Sequence, residues 1–110
     1  MKEIKAFVKP FKVNDILNQL LQAGYPNITV SMAEGTGNFK SDESSLSTHF
    51  SITDSKVAKI EIVCNDSDVE TIVQIISSLG RTGNHGDGII FVAGVEKVYK
   101  VKTGKENMED

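Results

Sequence analysis

Hydrophobic and polar positions change period several times along this chain, and each change marks an element. Lys2 to Lys9 alternates, with Ile4, Ala6 and Val8 on one side and Glu3, Lys5, Phe7 and Lys9 on the other. Period two predicts a half-buried strand, and Pro10 ends it because proline has no N–H for a ladder. From Val13 the spacing becomes helical: Val13, Ile16, Leu17, Leu20 and Leu21 share a face, Asp15 sits in the first turn and Gly24 follows as a stop. After the turn at Tyr25-Pro26-Asn27, a second strand is expected over Ile28–Met32, with Ile28, Val30 and Met32 on one face. Val57 to Cys64 alternates again, with Ala58, Ile60, Ile62 and Cys64 together. Ser67 and Glu70 have the spacing of a capping box, and Val69, Ile72, Val73, Ile76 and Leu79 continue at helical spacing to Gly80. Ile89 to Val92 is a fourth strand, and Val95, Val98 and Val101 among lysines predict a further extended edge segment.

Between the second and third strands periodicity disappears. Residues 34–55 are rich in Ser, Thr, Gly and Asp, and Phe39, Leu46, Phe50 and Ile52 fall at no consistent interval. Such a stretch is too long for an ordinary connection, which makes it a functional loop or a disordered one. Regular structure resumes directly after it, so it is an excursion within one domain. The order strand, helix, strand, loop, strand, helix, strand gives an α+β, ferredoxin-like βαββαβ sandwich. Two helices cover one sheet face and leave the other bare, with Phe7, Val63 and one of Ile89 or Ile90 projecting there. A bare apolar face on a small domain points to self-association.

Composition narrows the function. The chain has 110 residues, a net charge of −3, and apolar and charged fractions of 39% and 25%, as in an ordinary soluble domain. The acidic balance argues against nucleic acid or an anionic membrane as partner. The sequence has no run of about 18 apolar residues and no signal-like opening, so no membrane insertion is expected. The single cysteine, Cys64, lies in an apolar strand pattern, is expected in the core and fits a reduced, cytoplasmic setting.

The most distinctive stretch is Arg81-Thr82-Gly83-Asn84-His85-Gly86-Asp87-Gly88-Ile89-Ile90-Phe91, three glycines within six residues leading into a strand. Glycine there implies backbone that must curve tightly or approach something closely, and consecutive N–H groups in such a turn can form a nest for an anion.

Several stretches together resemble the PII signal-transduction (nitrogen regulatory protein P-II) family. They are Lys9-Pro10-Phe11-Lys12, Thr29-Val30, Gly35-x-Gly37, Lys59-Ile60-Glu61-Ile62-Val63, the run from Thr82 to Val92 and Lys100-x-Lys102-Thr103-Gly104. The resemblance spans the chain apart from the interior of the long loop. It implies a non-enzymatic homotrimer that binds an adenine nucleotide between subunits and docks on a partner, such as a membrane transporter or an enzyme, through a long T-loop. In this numbering the T-loop would be residues 35–55, the B-loop 81–88 and the closing C-terminal segment with its acidic tail 96–110. The resemblance assigns adenine and ribose contacts to Phe7, Thr29, Gly35, Glu61 and Val63, and phosphate contacts to Gly37, Gly86, Asp87 and Gly88. Thr36, Asn38, Ile89, Lys100 and Lys102 complete the implied nucleotide-binding set. Valine at Gly86 or Gly88 is then expected to abolish nucleotide binding and leave the assembly intact.

The departures from the family pattern are informative. Where the family places a lysine after Gly-Asp-Gly to reach the terminal phosphates, this chain has Ile89. Two C-terminal arginines are replaced by Lys100 and Lys102, which keeps charge and loses the bidentate fork. Arginine and glutamine after Gly37 are replaced by Asn38 and Phe39, which removes the glutamine that completes the Mg²⁺ and 2-oxoglutarate site. The T-loop tyrosine that many bacterial members have uridylylated has no counterpart; His49, Phe50 and Ser51 occupy that region. Together these changes predict a site shifted toward AMP or ADP over ATP, or one of weak affinity overall.

Other chemistry is thinly represented. His49 and His85 are the only histidines, and no nucleophile–base–orienter set converges. His49 with Asp42, Glu43 and Asp54 has no recognised metal-ligand spacing, so no metal is assigned and both histidines stay weak candidates. A CutA-like metal-homeostasis trimer on the same fold is the alternative reading. An acylphosphatase-like enzyme would need an arginine-bearing phosphate loop after the first strand, where Lys9-Pro10-Phe11-Lys12 stands.

Overall fold

The computed structural model describes residues 1–36 and 55–106. Six elements follow one another: β1 (Lys2–Val8), α1 (Val13–Gln22), β2 (Thr29–Gly35), β3 (Ser55–Cys64), α2 (Val69–Gly80) and β4 (Gly88–Gly94). The strands form one sheet in the order β2-β3-β1-β4, every neighbouring pair antiparallel. This is the α+β, ferredoxin-like topology that the element order predicts.

The alternation in the sequence is the alternation of the sheet. Ile4, Ala6 and Val8 of β1 and Ala58, Ile60, Ile62 and Cys64 of β3 are buried on the helix-covered face. They meet Ile16 and Leu20 of α1 and Ile72 and Ile76 of α2 in one core. Ile4, Ile16, Leu20, Ile60, Ile72 and Ile76 are fully enclosed, each contributing about 1.5–3 kcal/mol by burial. Cys64 belongs to this core, and its burial, with Asp68 and Asp66 nearby, pushes the thiol pKa up. Gly24 stands just past the end of α1, and its φ of +94° is open to glycine at little cost. The N–H of Gly24 donates to Leu21 O and that of Tyr25 to Leu20 O, which satisfies the last carbonyls in a Schellman arrangement.

The register settles which isoleucine joins the uncovered face. Phe7 lies directly opposite Ile89, and Ala6 opposite Ile90. Ile89 therefore shares the outer face with Phe7, while Ile90 packs on the core. The Phe91 ring meets the Phe7 ring edge-on at 5.9 Å.

Three expectations need correction. Strand β2 runs from Thr29 to Gly35, beginning one residue later and ending beyond Met32. Val30 and Met32 take the core-side register, opposite Ile60 and Ala58, yet both are exposed because they sit on the edge strand, where cover runs out. Ser67 does not cap α2: it falls within a 3₁₀ turn, Asp66–Asp68, and no side-chain cap bond forms at Asp68. The segment after β4 is not an extended edge strand. It turns back on itself through an isolated Tyr99–Glu106 bridge, with Lys100 N–H donating to Lys105 O and Gly104 N–H to Lys100 O. The sheet edges are β2 and β4, and β4 carries no lysine.

Candidate functional site

Strand directions decide what can converge. β1 and β2 both run antiparallel to β3, so their C-terminal ends lie together, at the end of the sheet where β3 and β4 begin. Lys9, Gly35, Thr36, Ser55 and Gly88 therefore stand at or just past one end of the sheet. The glycine turn joins α2 to β4 there.

The turn is held from within by Asp87. One carboxylate oxygen accepts the N–H groups of Thr82 and Gly83, each at 2.9 Å. The other accepts the Thr82 hydroxyl and lies 3.4 Å from the Lys9 ammonium. Lys9 also donates to Thr82 Oγ1 at 3.1 Å, and the same oxygen accepts the Asn84 N–H at 3.1 Å. Two of the N–H groups that could have formed a nest for an external anion are thus turned onto an internal one. Burial works against the charge on Asp87. The bonds from Thr82, Gly83 and Lys9 outweigh it and hold the carboxyl far below the usual carboxylate range.

The sign of the consequence follows from linkage. A carboxyl whose folded pKa lies below its unfolded value, about 4, adds stability that is complete above that value. That stability is lost as pH falls through the folded pKa. Asp87→Asn should lose about 2 kcal/mol, as expected for bonds to a charged acceptor, and melt about 10 °C lower at neutral pH. Its stability should also fall less steeply than the wild type's below about pH 4. Thermal melts across that range check both effects, and identical melting curves would contradict them.

Gly88 has a different reason for being glycine. Its φ is +111°, and a Cβ there would lie 1.7 Å from the Phe7 carbonyl oxygen. β4 enters the sheet so close to β1 that no side chain fits. Gly86, with φ of +81°, supplies the preceding reversal.

A cleft of about 230 Å³ opens between the end of α2, the end of β1 and the turn, and Phe7, Asp87, Gly88 and Ile89 line it with Arg81 at its side. The Arg81 guanidinium is anchored on α2, donating to Ser77 O at 3.2 Å and Ser77 Oγ at 3.0 Å. Thr29 and Glu61 face each other across β2 and β3 on the outer face, and Glu61 pairs with Lys59 at 3.4 Å. Val63 lines a second cavity of about 190 Å³ with Tyr25, Asn27, Asn65 and Asp68. There the Tyr25 hydroxyl donates to Asp68 at 3.2 Å.

The structure thus gathers Phe7, Asp87, Gly88 and Ile89 at one cleft, with Gly86 in the adjoining turn and Gly35 and Thr36 at the same end of the sheet. Thr29, Glu61 and Val63 lie farther along β2 and β3. Lys100 and Lys102 follow the opposite end of β4, where Gly94 pairs with Lys2, and Lys102 is exposed. Gly37, Asn38 and His49 lie outside the described residues, and His85 is exposed at the tip of the turn. Among the described residues no three His, Cys, Asp or Glu side chains gather as a metal group. Lys9, which stands in a stretch carrying the family resemblance but is given no site role by it, joins the site.

Comparison with known proteins agrees with this architecture. The family model described as "Nitrogen regulatory protein P-II" matches residues 1–105. A nitrogen regulatory protein P-II of Nostoc punctiforme is 36% identical over 110 residues, covering 99% of this chain and 98% of the relative. A nitrogen regulatory protein P-II 2 of Methanothermobacter thermautotrophicus is 40% identical over 106 residues, covering 96% and 92%. A P-II protein of Pasteurella multocida is 36% identical over 108 residues, covering 97% and 96%. With matches of that extent on a four-stranded antiparallel sheet carrying two helices, the chain belongs to the nitrogen regulatory protein P-II family.

Proposed function

We propose that this chain is a non-enzymatic, cytoplasmic signal-transduction protein that works as a homotrimer. It takes an adenine nucleotide in clefts between subunits, AMP or ADP in preference to ATP, and regulates a protein partner through residues 35–55. The partner is a membrane transporter or an enzyme. The outer sheet face supports assembly: Phe7, Val63, Ile89 and Phe91 lie on it, and β4 is an edge strand without a charged residue.

The observation that carries the ligand preference is the apolar side chain of Ile89 where β4 leaves the turn, opposite Phe7. Lys9 cannot readily stand in for a cation there, because it is about nine-tenths buried and already bonded to Asp87 and Thr82. What the turn offers a phosphate is backbone from His85 onward, including the backbone of Asp87. A phosphate beyond the first would lack the charge-assisted bond worth about 1.5–3 kcal/mol. Ligand binding would act by shifting residues 35–55 between two states, a coupling of site occupancy to segment conformation.

Calorimetric titration with AMP, ADP, ATP and cyclic AMP tests this reading. AMP or ADP should bind more tightly than ATP, whose binding the missing lysine weakens by about ten- to a hundredfold. ATP binding at least as tightly as AMP, with Mg²⁺ and 2-oxoglutarate adding to it, would overturn the preference. Specific Cu²⁺ or Zn²⁺ binding with no nucleotide binding would favour the metal-homeostasis alternative.

A further inference from the structure

We infer that Lys9 is the positioning residue of the glycine turn, fixing it to the end of β1 and acting on a bound phosphate through Asp87 rather than by touching it. This rests on the reading that the turn carries a nucleotide phosphate. The Asp87 carboxylate is surrounded as an anion in a binding site would be, by two backbone N–H groups, a hydroxyl and an ammonium. Three of those donors come from the turn itself. The ammonium comes from the far side of the sequence, 73 positions from Thr82.

The hydrogen-bond directions close without remainder at Thr82. A hydroxyl has one proton to give and two lone pairs to fill. Its lone pairs take Lys9 Nζ and the Asn84 N–H, which leaves the proton for Asp87. Lys9 thus sets the direction of the Thr82–Asp87 bond as well as balancing the carboxylate. Its side chain is 11% exposed and that of Asp87 27%, so solvent replaces a lost ammonium poorly. Without it the Asp87 charge is uncompensated, Thr82 is free to rotate, and the turn loses its tie to the end of β1.

A double-mutant cycle on the full chain tests this, with AMP as the probe in calorimetry. Lys9→Met should weaken AMP binding about tenfold, the scale of one charge-assisted bond, and Lys9→Arg should restore most of it. In an Asp87→Asn background Lys9→Met should cause no further loss, because a residue that acts through Asp87 is not additive with it. An equal loss in both backgrounds would show direct contact and overturn the inference, as would unchanged binding in Lys9→Met. Hydrogen exchange at the Thr82 and Gly83 amides, measured without nucleotide, gives an independent reading and should accelerate in Lys9→Met. Unchanged exchange overturns the inference even if the wild type binds no nucleotide, a result that would otherwise count against the nucleotide reading alone. Lys9→Gln replaces the methionine variant should that one fail to fold.

Discussion

Gly88→Val should give a chain that does not fold cooperatively. The first carbon of any side chain at position 88 would sit 1.7 Å from the Phe7 carbonyl oxygen and 2.8 Å from its carbon. Both are backbone atoms of the central pairing partner, so no rotamer change relieves the clash. β1 and β4 would have to separate at the Val8–Gly88 end, and the φ of +111° adds strain for a β-branched residue. A cost above about 4 kcal/mol belongs to the exceptional tail of point substitutions and takes most of a small domain's margin of about 5–15 kcal/mol. Circular dichroism should show loss of the melting transition or its fall by more than about 15 °C; a melt within a few degrees of wild type would refute the argument. The expectation that valine at Gly88 removes only ligand binding is therefore corrected. Gly86→Ala is the better probe of the turn, since a left-handed non-glycine residue at its φ of +81° costs only about 1–2 kcal/mol.

Much of the fold was legible because burial and sequence period are the same fact in β1, β3, α1 and α2. Ile4, Ala6 and Val8 alternate because alternate side chains point at the helices, and Ile16 and Leu20 recur at four because one helical face meets the sheet. The period failed at the C-terminus. Val95, Val98 and Val101 recur at three, which is neither strand nor helix spacing, and Val101 is fully exposed. The signal that was present is Gly104, whose φ of +67° completes the turn back toward Lys100. The start of α2 misled for a related reason: Asp66-Ser67-Asp68 offers three competing polar side chains, and the chain makes a 3₁₀ turn there before the helix.

The site was legible as composition and not as geometry. Three glycines announced constrained backbone, but the sequence could not distinguish a nest open to a ligand from one closed by its own carboxylate. That distinction depends on Lys9, which reaches the turn only because β1 and β4 are neighbours. No local pattern encodes such a pairing. Ile89 and Ile90 were likewise interchangeable until the β1–β4 register placed one on each face.

Ile89→Lys is the substitution with the largest expected gain of function. Position 89 is on the outer face, partly exposed and beside the turn, so a lysine can lay its methylenes along Phe7 and keep its ammonium in solvent. The loss of fold stability should be small for that reason. The added ammonium does not duplicate Lys9, whose charge is engaged by Asp87, and Asp87 has little capacity to capture it because four donors already surround its oxygens. It is therefore free to meet the outer phosphates of a ligand seated on the turn. One charge-assisted bond of about 1.5–3 kcal/mol should tighten ATP binding about ten- to a hundredfold. AMP, with no outer phosphate to meet it, should change by less than about threefold, so the ATP-to-AMP affinity ratio is the measurement that matters. An equal gain for both ligands would mean that the lysine acts as a general positive charge near the cleft, because long-range attraction does not distinguish the first phosphate from the third. No gain for either would remove the turn from the phosphate path altogether. Adding salt separates the two attractive cases, since a direct bond at a partly buried position is screened far less than a diffuse field.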